Sequence, residues 1–150
     1  MTVIIRAATP DDLPEVIELC AEHAQYEKAE IDTATLERAL GTCLFSPNPR
    51  ASCVVASARD ALLGYATWSR EFSTWRAADY AHMDCLYVKP EHRNAGLGRR
   101  LFDAVRDDAI AAGCDVVEWQ TPAWNDGAIR FYNRCGALAM PKMRFRWRPS

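Results

Sequence analysis

The sequence predicts one α/β domain built on a mixed sheet. Three observations carry that reading. Apolar runs with strand character and segments with helical spacing follow in the order β, α, α, β, β, β, α, β, α, β. The second half alternates strand and helix, which is how parallel strands are joined. The chain has 150 residues, 49% of them hydrophobic and 25% charged, the balance of a globular domain with a single core.

VIIRAA at 3–8 is a short β-branched run, read as a strand. Thr9, Pro10 and Asp12 follow as cap, first helical position and an acid three residues after the cap. Leu13, Val16, Ile17, Cys20, Ala21 and Ala24 then recur at helical spacing, which carries the first helix to about Tyr26. A second helix starts near Asp32 or Thr33, with Leu36, Ala39, Leu40 and Cys43 on one face. Pro47 and Pro49 mark a loop.

SCVVAS at 52–57 and LLGYATW at 62–68 read as a hairpin turning at Arg59-Asp60. Residues 70–78 are polar and read as irregular. Tyr80 to Val88 is the next strand, ended by Lys89-Pro90. A helix after Gly98 runs to about Ala112 and stops at Gly113. CDVVEWQ at 114–120 is a strand, 122–127 a loop, and Ala128 to Cys135 a short helix closed by Gly136. MRFRW at 143–147 alternates as a last strand, basic on one face and apolar on the other.

The formal net charge of −2 gives no field that would draw nucleic acid or an anionic membrane, and neither partner is expected. No basic stretch and long apolar segment open the chain, so neither signal peptide nor membrane span is expected. The six cysteines form no C-x-x-C pair, and the three histidines lie at no metal-ligand spacing. These features point to free thiols, a cytoplasmic protein and no metal.

The stretch EHRNAGLGRRLF at 91–102 is the most informative. A strand, then Arg93, Gly96 and Gly98 as R-x-x-G-x-G, then a helix make a place to hold phosphate. Arg99 and Arg100 stand in the first helical turn, where the macrodipole disfavours cations, and a bound pyrophosphate would relieve them. The alternative is a tight turn with two solvated arginines. The missing lysine and hydroxyl weaken a P-loop reading, and Leu101, standing where a third glycine belongs, weakens a dinucleotide fingerprint.

LYVKPEHRNAGLGRRLF at 86–102 resembles the acyl-CoA-binding signature of the GNAT superfamily of N-acyltransferases. WNDGAIRFYNRCGA at 124–137 is similar to its second motif, and IRAATPDDLPEVIEL at 5–19 to its opening strand and helix. Tyr26-Glu27, Asp84 and Trp124-Asn125 look most like the diamine (spermidine/spermine-type) and thialysine acetyltransferases. The resemblance implies a mixed central sheet of six to seven strands, about four helices and a strand–glycine turn–helix cofactor site for acetyl-CoA. It implies that Leu86, Val88, Arg93, Asn94, Ala95, Gly96, Gly98, Arg99 and Asn125 hold that molecule. It also implies that Tyr132 protonates the leaving sulfur and that a homodimer forms.

An alkyl ammonium cannot attack until it loses a proton, so a base or a water path to one is needed. Strict alternation places His82, Asp84, Leu86 and Val88 on one strand face. The resemblance to the diamine-type members implies an acid at 84 that helps deprotonate the amine, often through water, which makes Asp84 the base candidate and His82 the second; a purely binding or structural carboxylate at 84 is the alternative. Tyr26, Glu27, Trp75 and His82 are candidates for the amine site, because carboxylates and ring faces attract ammonium groups. The expected reaction is direct acetyl transfer to a small cationic amine, a polyamine or an amino-acid-like molecule. An aminoglycoside, a protein amine, and a non-catalytic acyl-CoA sensor are the competing readings. A Cys–His hydrolase built on Cys135 finds no histidine in a matching motif.

Overall fold

A computed structural model describes residues 1–150. The chain forms two units, 1–120 and 121–150. The first carries β1 (Ile4–Ala7), α1 (Leu13–Tyr26), α2 (Thr33–Phe45), β2 (Ser52–Ala58), β3 (Ala61–Ser73), β4 (Ala78–Val88), α3 (Leu97–Ala111) and β5 (Val117–Glu118). The second carries α4 (Asp126–Arg134). The strands lie in sequence order, antiparallel from β1 to β4, with β5 parallel to β4.

The sheet therefore has five strands, not six to seven. Residues 143–147 form no strand, and Met143, Phe145 and Trp147 are exposed. Alternation there describes two faces of an extended chain but supplies no neighbour to pair with. The run 114–120 contracts to a two-residue strand. Conversely, 70–73 belong to β3 and 78–79 to β4, so only 74–77 form a turn. That end of the hairpin stands clear of the core. Its ladder needs no apolar residue, and Arg70 pairs with Asp79 at 3.5 Å. The helices expected after Gly98 and from Ala128 are present, each starting about two residues earlier, α3 at Leu97 and α4 at Asp126.

Side-chain alternation divides the core in two. Cys53, Val55, Leu62, Tyr65 and Tyr87 face Val16 and Leu19 of α1 and Leu44 of α2. On the other side α3 buries Leu97, Leu101, Val105 and Ala109, spaced by four. Each of these larger side chains contributes about 1.5–3 kcal/mol through burial.

The entry into α1 is fixed by a charged clamp. Asp12 receives two bonds from the Arg6 guanidinium, at 2.6 and 2.9 Å, and one from the Thr9 N–H at 2.7 Å. The Arg6 bond, against a smaller opposing effect of burial, pushes the carboxyl down to about 2. Its stabilising effect is full above the ordinary carboxylate range and is lost as pH falls from about 4 to 2, by about 2 kcal/mol. We expect Asp12→Asn to be less stable than wild type at pH 6 and nearly equal at pH 2. Thermal melts across that range test it; a stability difference that does not change with pH would refute the assignment.

Candidate active site

The site is built where β4 loses its second neighbour. β5 pairs with β4 only at Ala81–Val117 and His82–Glu118. From Met83 to Val88, β4 is paired on the β3 side alone. The Lys89 N–H donates to the Leu63 carbonyl at 2.9 Å, so the antiparallel alternation turns the N–H groups of Leu86 and Val88 away from β3. They point to the open edge. The Val88 carbonyl points the same way and accepts the Arg93 Nε–H at 2.8 Å.

Asp84 lies in this stretch as a β-bulge. Thr67 opposes Cys85 and Trp68 opposes Met83, which leaves Asp84 without an opposite residue. The bulge also corrects the face assignment. His82 shares a face with Cys85 and Tyr87, whereas Leu86 and Val88 look toward α3. The extra residue shifts the period-2 alternation by one, a break that strict alternation cannot register. Asp84 is exposed, and its charge is felt by the thiols of Cys20 on α1 and Cys85. Burial, with Asp84 adding to it, pushes the Cys85 thiol up to about 12. Gly64 lets β3 approach this end of β4: a Cβ there would stand 2.6 Å from the Tyr87 carbonyl oxygen and 3.1 Å from the Val88 Cα.

Beyond Val88 the backbone turns through Asn94 at φ 64° and Gly96 at φ 79°, both left-handed, into α3. A Cβ on Gly96 would meet nothing within 4 Å, so the glycine serves its backbone angle and the space beside it is open. Asn94, Ala95 and Gly96 are exposed. The helical ladder begins with Arg100 N–H to the Gly96 carbonyl, and no side chain caps the helix. The N–H groups of Leu97 and Gly98 thus lie outside the ladder, at the positive end of the helix. An open strand edge leading to such a turn fits an extended amide arm that ends in a diphosphate.

The arginines behave differently from expectation. Arg99 pairs with Asp103 at 2.9 Å, and Arg100 donates to the Val3 carbonyl at 2.8 Å. Their charge at the helix start thus has partners within the protein. The Arg93 guanidinium lies over the rings of Tyr26, at 4.9 Å, and Tyr87, at 5.3 Å. It ties the end of β4 to the end of α1, and it occupies a Tyr26 ring face that a substrate ammonium was expected to meet.

The end of α1 gathers polar groups the sequence did not connect. His23 Nε2 lies 2.6 Å from Glu27 Oε2, and Nδ1 lies 3.0 Å from the Tyr65 hydroxyl. The His23 ring stacks on Tyr87 at 5.2 Å, and Tyr87 Oη donates to Glu22 at 3.4 Å. Burial first, then the charge of Glu22, raises the Tyr87 phenol. The spacing of His23 and Glu27, one helical turn apart, was a usable signal. Tyr65, 42 residues from His23 in the chain, had none.

Trp75 stands apart from this group. It is 99% exposed at the tip of the β3–β4 hairpin, beside a groove lined by Phe72, Tyr80 and Glu118. Ten register pairs separate that tip from Val88, roughly 30 Å along the strands.

In the second unit, Asn125 is buried and caps α4. Its Oδ1 accepts the Ala128 N–H at 3.4 Å, and its Nδ2 donates to Thr121 Oγ1 at 3.2 Å. Gly136 at φ 87° ends the helix, and the Ala137 N–H returns to the Tyr132 carbonyl at 3.1 Å. Tyr132 is half-buried, its ring 5.3 Å from that of Phe131.

Residues 13–137 match the Acetyltransferase (GNAT) family. The chain is 30% identical over 143 residues to the thialysine N-epsilon-acetyltransferase of Bos taurus, covering 90% of this chain and 84% of that protein. It is 23% identical over 185 residues to the L-ornithine N5-acetyltransferase of Arabidopsis thaliana, covering 93% and 81%. A crystal structure described as a possible acetyltransferase from Clostridium difficile 630 shares the fold at a TM-score of 0.83 and 18% identity, over 100% of this chain and 99% of that one. With a match that spans most of its length, the chain belongs to the GNAT family and is an N-acetyltransferase.

Proposed function

We propose that this single domain transfers an acetyl group from acetyl-CoA to the primary amine of a small cationic substrate, in a ternary complex and without an acylated enzyme. One observation carries the reading: β4 opens at its bulge onto an unpaired edge and a left-handed turn, beside an acidic end of α1. The relatives named for thialysine, L-ornithine and D-amino acids favour an amino-acid-like amine, and one named for spermidine/spermine keeps a polyamine in view.

Acetyl-CoA supplies the activated acyl thioester. Leu86 offers backbone hydrogen bonds to its amide arm, Val88 faces its acyl end, and the turn at Asn94, Ala95, Gly96 and Gly98 offers N–H groups to its phosphates, with Arg99 adding charge. Arg93 holds the end of β4 in place through Val88. Asn125 holds the start of α4. Glu27, with Tyr26 beside it, draws the ammonium. Asp84 accepts its proton through water. The N–H of Val88 stabilises charge building on the acyl oxygen. Tyr132 gives a proton to the departing sulfur. Exposed Leu138, Met140, Met143, Phe145 and Trp147 support a homodimer, and six free cysteines suit the cytoplasm.

Free-thiol release from acetyl-CoA, followed with thialysine, ornithine, spermidine, an aminoglycoside and an N-terminal peptide, tests the assignment. We expect thialysine or ornithine to give the highest kcat/KM. Acetyl-CoA binding with no thiol released by any amine would favour the sensor reading instead.

A further inference from the structure

We propose that His23 is a positioning residue for the amine site, holding the Glu27 carboxylate in place as the receptor of the substrate ammonium. The inference rests on the reading of Glu27 given under Proposed function. Glu27 follows the last residue of α1, at the negative end of the helix, where a carboxylate is disfavoured. It is about a third exposed. What keeps it in one place is the imidazole one turn earlier.

That imidazole is itself fixed from three sides. A carboxylate can only accept, so the 2.6 Å contact requires a proton on Nε2. In the neutral ring Nδ1 is then an acceptor, and the Tyr65 hydroxyl at 3.0 Å is the donor it needs. Tyr65 is buried in the core, and desolvation pushes its phenol strongly upward, so it stays a donor. Tyr87 stacks on the ring face and is held in turn by Glu22 and Arg93. A rigid strand pair thus reaches through His23 to orient one carboxylate at the edge of the site. The bond uses Oε2 of Glu27 and leaves its negative charge in place for a cation. A flexible, unpositioned glutamate would have to give up side-chain freedom each time a substrate bound.

The test uses wild type, His23→Leu, His23→Gln, Glu27→Gln and the double variant His23→Leu/Glu27→Gln. Each is assayed against the best cationic amine of the panel, with acetyl-CoA affinity and melting temperature recorded. We expect His23→Leu to raise KM for the amine about tenfold with kcat within about twofold and acetyl-CoA affinity unchanged. His23→Gln should recover to within about threefold of wild type, because its amide N–H can still reach the carboxylate. The double variant should be no worse than Glu27→Gln alone, since the two residues act as one unit. A KM unchanged in His23→Leu, or effects that simply multiply, would overturn the proposal while leaving the acetyltransferase reading intact. A wild type that acetylates no cationic amine overturns both. If His23→Leu fails to fold, the low-field proton signal of the Nε2–H in wild type, lost in Glu27→Ala, decides the matter; its absence from wild type refutes the contact.

Discussion

Replacing Tyr132 with phenylalanine is expected to lower kcat by about a hundredfold or more and to leave acetyl-CoA affinity within a few fold. The substitution keeps the ring, so the contact with Phe131 and the packing of a half-buried side chain survive. It keeps α4 as well, because the helix is capped by Asn125 and terminated at Gly136, neither of which uses the phenol. What disappears is one O–H group. In the proposed role that group meets the departing thiolate, and phenols as a class are only slightly weaker acids than alkyl thiols. Supplying a proton as the sulfur departs is easier than expelling an unprotonated thiolate. Because the proton moves only as the sulfur departs, the loss should fall on kcat and not on binding. Steady-state kinetics paired with calorimetric titration of acetyl-CoA separates the two. A variant with kcat within twofold of wild type would remove Tyr132 from this role.

The parts of the site that were legible in the sequence are those set by local chemistry. A strand, R-x-x-G-x-G and a helix at 86–102 could be read because glycine has one use where φ is positive and a helix start has one polarity. Thr9, Pro10 and Asp12 marked a helical start, but they open a 3-10 turn at Pro10–Asp12 that leads into α1 at Leu13, and the bonds from Arg6 that hold Asp12 carry no local signal. What could not be read depends on partners far away in the chain. The bulge at Asp84 exists only as a mismatch between two strands, so alternation along β4 alone put His82 on the wrong face. MRFRW has the pattern of a strand, but a pattern does not supply a neighbour. Arg93, read as a cofactor-binding residue, donates to Val88 and lies over two tyrosine rings, partners that carry no local signal. His23 carries no motif, and its meaning comes from a hydroxyl on another element.

Asp84→Asn is expected to reduce kcat/KM for the amine by about a hundredfold at neutral pH, with the deficit shrinking as pH rises. At pH 7 about one alkyl amine in a thousand is unprotonated, given an ammonium pKa near 10. By pH 9.5 roughly a quarter is, and the substrate then needs less help. A carboxylate is a far weaker base than an alkyl amine, so direct transfer from such an ammonium is steeply uphill. In the proposed role the carboxylate acts through water, stabilising a proton in transit, and its contribution is bounded accordingly. The bulge suits such a relay. It lifts Asp84 out of the β3–β4 ladder, between the open edge that begins after His82 and the thiol of Cys85. A carboxylate that only binds the ammonium gives a different signature. Its removal raises KM, leaves kcat at saturating amine near wild type, and produces no narrowing of a kcat difference with pH. Measuring kcat and KM separately from pH 6.5 to 9.5 therefore distinguishes a proton acceptor from an electrostatic anchor, and a kcat ratio constant across that range would reassign Asp84 to binding.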